Sequence, residues 1–180
     1  MARLVLINGA PASGKSTLAR RLAEERPLTL VVDLDSVRGS LGQWARDPVA
    51  AGQAARTLGL VMAQTHLGAG EDVIVPQFLQ RVDFVLALAE AARHSGADFV
   101  EVALVSDPAE AAHRFAARAG STQANHRDAA LLQAAPAAEP IETMYHAMIE
   151  MLRGRPATRY VLTRAGDVDR TYADLLGALA

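Results

Sequence analysis

Apolar positions along the chain alternate between short β-branched runs and longer stretches with helical spacing. Residues 3–8 predict a buried strand, and Leu18 and Leu22, one turn apart, place a helix over 15–25. Further strands are predicted at 28–32, 72–75, 98–105 and 159–163. A helical turn is expected over 36–41, a helix from the Asp47-Pro48 start to about 67, and others over 79–94, 141–153 and 171–179. Asp107-Pro108-Ala109-Glu110 has the elements of a capping box and opens a helix to about 119. Strand and helix alternate throughout, so an α/β fold is expected, with a mainly parallel sheet covered on both faces. The chain, 1–180, reads as one domain without internal repeats. Residues 120–133 are polar and weakly patterned, a candidate mobile loop.

Between the first strand and the first helix lies Gly9-Ala10-Pro11-Ala12-Ser13-Gly14-Lys15-Ser16-Thr17, which fits G-x-x-x-x-G-K-[ST] at every fixed position. Gly9 and Gly14 let the backbone curl until several N–H groups face one anion. The helix beginning near Lys15 adds its positive end. In this motif Lys15 bridges β- and γ-phosphate oxygens, and the Ser16 hydroxyl is a ligand for Mg²⁺. A nucleoside triphosphate is the expected ligand, with ATP and Mg²⁺ as cofactors.

The second strand leads into Asp33-Leu34-Asp35-Ser36-Val37-Arg38, two carboxylates and an arginine at the sheet edge where ligands sit. A hydroxyl attacking the γ-phosphorus must lose its proton, and a carboxylate within reach accepts it. Asp35 is the first choice for that role and Asp33 the second; the alternative is that either caps the short helix that follows. Arg38, one turn after Asp35, is placed to hold an anionic or polar part of the acceptor. Gln77 and Arg81, at the end of the third strand, are further candidates for acceptor contact; a backbone-satisfying Gln77 and a surface Arg81 are the alternatives.

Composition narrows the picture. Hydrophobic residues make up 51% and charged residues 21%, with a net charge of −2, so no global positive field draws the chain to nucleic acid or anionic lipid. The absence of cysteine excludes disulfides, thiolate metal sites and cysteine nucleophiles. The five histidines show no paired spacing suited to zinc, and packing or surface roles are expected of them. No apolar run reaches membrane-spanning length, and residues 1–7 are too short for a signal peptide, so a cytoplasmic protein is expected.

The loop 9–17 followed by Asp33–Arg38 resembles the P-loop small kinases grouped around chloramphenicol phosphotransferase, polynucleotide kinase and zeta toxin, a resemblance that also points toward AAA-type P-loop ATPase families. It implies a three-layer, adenylate-kinase-like core with a five-stranded parallel sheet in the order 2-3-1-4-5. It also implies a lid, about 114–135, whose arginines neutralise the transferring phosphate. Arg114 and Arg118, four apart on one helix, and Arg127 are the candidates, Arg118 foremost. The third strand departs from a common P-loop pattern: it ends Val75-Pro76-Gln77 without a metal-associated acid, a role that Asp33 through water, or Ser16 with the phosphates, would have to fill. Arg164–Asp167 stands where related kinases approach adenine, although turn chemistry explains it equally well. Trp44 is expected either to wall the acceptor pocket or to pack in the core.

The expected activity is ATP-dependent transfer of the γ-phosphate to a hydroxyl of a small molecule: an antibiotic, a sugar or a nucleoside. A polynucleotide end kinase is the alternative, disfavoured by the lack of basic clusters with interleaved aromatics. A GTPase switch would show D-x-x-G after strand three and N-K-x-D after a later strand, and a motor ATPase an acidic pair ending strand three; none of these stands at those places.

Overall fold

The computed structural model describes residues 1–117, 128, 131–134, 138–164 and 166–180. β1 (Arg3–Gly9) is the central strand, between β3 (Val73–Gln77) and β4 (Asp98–Val105). β2 (Leu30–Val31) and β5 (Arg159–Leu162) form the edges. Every pairing is parallel, and the order is β2-β3-β1-β4-β5, as the resemblance implies.

Alternation along β1 explains the layers. Leu4 and Leu6 join a core with Ala63, Leu67, Val85 and Leu88 on one face of the sheet. Val5 and Ile7 join Leu18, Ala19, Tyr172 and Leu175 on the other. Leu4, Leu6 and Ile7 are fully buried, each contributing roughly 1.5–3 kcal/mol. The first face is covered by α3 (Pro48–Gly68) and α4 (Val82–His94), the second by α1 (Lys15–Ala23) and α7 (Val168–Leu179). A third cluster packs α5 (Pro108–Ala117) and α6 (Ile141–Arg153) beside β4. Among the described residues, no helix is long and apolar enough to cross a membrane.

Several boundaries differ from expectation, among them the start of α7 at Val168 instead of 171 and the end of β3 at Gln77 instead of 75. β2 is shorter than 28–32 because Leu28 takes a left-handed φ of 61° and turns the chain before pairing begins. α2 (Leu34–Gly39) starts before residue 36 because the Asp33 carboxylate caps it, accepting from the Asp35 and Ser36 N–H groups at 3.0 and 3.3 Å. α4 starts at Val82 because the Leu79 backbone is tied to Asn8 instead. Asp47, Asp107 and Asp167 cap α3, α5 and α7. The expected continuation of α5 to 119 lies outside the described residues.

Candidate active site

The loop 9–17 joins β1 to α1 at the carboxyl edge of the sheet. Its shape comes from residues that few others could replace. A Cβ on Gly9 would lie 2.9 Å from Ser13 Oγ and 3.0 Å from Leu104 Cβ, so no side chain fits. Gly14 has a φ of 90°, in the region glycine enters without strain, and Ala12 is held at 64°. The Lys15 ammonium lies across the loop and donates to the Ala10 carbonyl at 2.7 Å. Ser13 Oγ is buried without a hydrogen-bond partner, an arrangement suited to a ligand that supplies one.

The entry to this loop is anchored by Asn8, which the sequence reading passed over. Fully buried, its Oδ1 accepts from the Gly9 N–H at 2.8 Å and the Leu79 N–H at 2.9 Å, and its Nδ2 donates to the Leu79 carbonyl at 3.2 Å. One side chain thus locks the phosphate loop to the segment after β3. A polar residue ending an apolar strand was the available signal.

Across the edge, α2 carries the two aspartates and Arg38. Asp33 is the cap of that helix, the alternative role foreseen for it. Arg38 Nη1 donates to Asp35 Oδ1 at 3.0 Å, and its Cζ stands 5.0 Å from the centre of the Trp44 ring, in the 3-10 turn Trp44–Arg46. Its Nε and Nη2 are buried with no hydrogen-bond partner among the described residues. Burial pushes the Asp35 carboxyl above the ordinary aspartate value, and Asp33 adds to the rise. Arg38 and Lys15 pull it back down, so the Asp35 carboxylate lies within the field of the phosphate-loop lysine. Its side chain is still 40% exposed, open enough to meet a ligand.

Gln77 reaches the same edge, paired in register with Asn8, and its Oε1 is buried without a partner. Arg81 is exposed at the start of α4. Arg114 is tied elsewhere: its Nη atoms donate to Thr163 Oγ1 at 3.4 and 3.5 Å, beyond β5, and Nε lies 3.8 Å from Glu110. Arg118 and Arg127 lie outside the described residues. Asp128, within the expected lid, sets its carboxylate against the end of α2, with Oδ2 3.4 Å from where a Gly39 Cβ would be. Tyr145 of α6 fixes the residue after β4: its hydroxyl donates to the Ser106 carbonyl at 2.7 Å and accepts from the Ser106 N–H at 3.0 Å. Asp167 caps α7, the turn chemistry foreseen for that stretch.

Among the described residues no cluster of histidine, aspartate or glutamate could hold a metal on its own. The Ser16 hydroxyl at the start of α1 is the candidate ligand, and such a site fits a hard cation that arrives with phosphate oxygens and water.

Several solved structures share this fold over nearly the whole chain. A gluconokinase from Sinorhizobium meliloti matches with a TM-score of 0.61 and 18% identity, covering 97% of this chain and 90% of its own. The Mycobacterium tuberculosis APS kinase, in complex with AMPPNP and APS, matches with a TM-score of 0.65 and 19% identity, covering 99% and 97%. A tunicamycin resistance protein from Deinococcus radiodurans matches with a TM-score of 0.57 and 17% identity, covering 98% and 96%. No curated protein matches the chain significantly. The parallel five-stranded sheet with its flanking helices is the fold that these three structures share with the chain. A family model described as an AAA domain matches residues 4–141, and the chain belongs to that family.

Proposed function

We propose that the protein is an ATP-dependent kinase that transfers the γ-phosphate to a hydroxyl of a small molecule. The observation that carries this reading is Asp35: a half-open carboxylate with a raised pKa, held by Arg38 and within the field of Lys15. A carboxylate so placed accepts the proton of an attacking hydroxyl as the O–P bond forms, and the terminal phosphoryl group leaves ADP. The backbone N–H groups of the loop and Lys15 hold the phosphates and offset the charge that develops on them. Ser16 would hold Mg²⁺, which when bound neutralises charge between the β- and γ-oxygens. The gluconokinase and APS kinase that share the fold are named for small-molecule acceptors, which supports the same class here.

Arg38 shapes the acceptor. Two of its nitrogens are buried and unpartnered, and leaving such donors unpaired costs about 1–3 kcal/mol. An acceptor bearing a carboxylate, phosphate or other strong hydrogen-bond acceptor satisfies them. In the reading proposed here the lid arginines come from 114–135, with Arg118 ahead of Arg114 because Arg114 is engaged at Thr163.

The test is a panel of sugars, nucleosides, antibiotics and oligonucleotides incubated with MgATP and followed by mass. A phosphoryl gain on a small hydroxyl compound, absent in Asp35→Asn although that variant still binds ATP, is the expected result. Gain on oligonucleotide ends alone points to an end kinase instead. Full transfer by Asp35→Asn overturns the assignment of the base.

A further inference from the structure

The interior of α3 carries a glycine at position 59, where glycine costs roughly 1 kcal/mol relative to alanine. Gly59 is buried, and its surroundings explain the choice. A Cβ there would lie 2.4 Å from Leu34 Cδ2 and 3.3 Å from Val32 Cγ1, whereas ordinary contact begins near 3.4 Å. Leu34 and Val32 are themselves buried, so in a close-packed interior a shift of the Leu34 side chain is passed on to its neighbours. Val32 leads into α2 and Leu34 stands between Asp33 and Asp35. Gly52 of the same helix is different: a Cβ there would meet only Arg56 Nη1, at 3.8 Å.

We propose that Gly59 is a positioning residue for the acceptor side of the site. Its missing side chain leaves a notch in α3 that seats Leu34, and that seat sets where Asp35 and Arg38 stand relative to the phosphate loop. The proposal rests on the kinase reading above, in which Asp35 receives the proton. A methyl group at 59 displaces Leu34 by about 1 Å, and α2, only six residues long, moves with it. A displacement of that size in a catalytic group lowers turnover on the order of 100-fold.

The test uses the full chain and four variants: Gly59→Ala, Gly52→Ala, Gly59→Ala combined with Leu34→Ala, and Asp35→Asn. Two measurements need no acceptor. Emission of Trp44, the single tryptophan, reports the Arg38 stack, and the carboxyl carbon resonance of Asp35, assigned by its loss in Asp35→Asn, reports that group's titration. MgATP affinity and transfer to the acceptor identified by the panel complete the set. Gly59→Ala is expected to shift both the emission and the titration, and to lower kcat about 100-fold while MgATP affinity stays within about twofold. Leu34→Ala in the double variant is expected to restore the emission and most of the turnover, because it removes the clashing atoms. Gly52→Ala is expected to leave every readout unchanged.

Unshifted emission and titration in Gly59→Ala overturn the proposal, as does equal loss of ATP affinity and turnover that the double variant does not recover. If Gly59→Ala alone does not fold, the double variant decides: wild-type emission supports the notch and displaced emission refutes it. No phosphoryl gain on any compound of the panel would instead sink the kinase reading, full transfer by Asp35→Asn would overturn the assignment of its base, and the emission and titration would still judge Gly59 separately.

Discussion

The two halves of the candidate site are built by different means. The phosphate half draws its chemistry from one stretch: within residues 9–17 the glycines, Ala12 and Lys15 shape one loop, with Leu104 packed behind Gly9. The acceptor half is assembled from several elements. Asp35 and Arg38 ride on a six-residue helix whose place depends on Gly59 in α3 and on the Trp44 turn. A half specified by contiguous residues is recognisable anywhere; one specified by packing takes the shape of its own neighbours. In the proposed kinase, the binding of a common phosphate donor and the choice of a particular acceptor would therefore rest on separate structural foundations.

The broadest expected effect, on binding and turnover together, comes from Lys15→Ala, which breaks the phosphate half. Charge-assisted hydrogen bonds are worth about 1.5–3 kcal/mol each, so loss of more than one lowers MgATP affinity over about 100-fold, measurable by calorimetry, and turnover falls with it. Asp35→Asn breaks the other half alone: MgATP affinity stays near wild type while transfer falls about 10²–10⁴-fold. Comparable losses in both halves for that variant would erase the distinction between them.

A sharper test is the pH profile. Burial raises the Asp35 pKa, so the acidic limb of kcat is expected above the ordinary aspartate value of 3.8. Arg38 lowers that pKa, so Arg38→Ala moves the limb to higher pH, whereas Asp35→Asn removes it. The same shift has a sign for stability: between 3.8 and the raised value the folded chain binds more protons than the unfolded one. This group's contribution to stability therefore falls as pH rises through that window, and the fall disappears in Asp35→Asn, as thermal melts at stepped pH would show.

The smallest effect separates capping from chemistry. Asp33→Asn keeps a capping oxygen and is expected to change stability by only a few tenths of a kcal/mol, whereas Asp33→Ala costs about 1 kcal/mol. Denaturant titration reads both. A large loss of transfer in Asp33→Asn with unchanged stability would give Asp33 a role beyond the cap that the structure shows.

Much of this was legible in the chain. β4 and α6 fall on their expected bounds because long periodic runs and strong breakers define them. Asp33 carried its ambiguity openly, since a cap and an acceptor contact call for the same residue at the same place. Arg114 shares a helix face with Arg118 by spacing, yet spacing says nothing of Thr163, 49 residues away, whose Oγ1 its Nη atoms meet. Asn8 gave only a faint signal because its partner Leu79 is 71 residues distant. Gly59 gave none, since its meaning lies in the atoms opposite.

The sequence by itself determined the layered α/β architecture and the phosphate loop, because periodic burial and the backbone freedom of glycine act over a few residues. Only the tertiary structure decided where Asp35 stands, what raises its pKa, and which donors of Arg38 are left without partners. Those properties arise from packing and desolvation, and both depend on groups that meet only when the chain is folded.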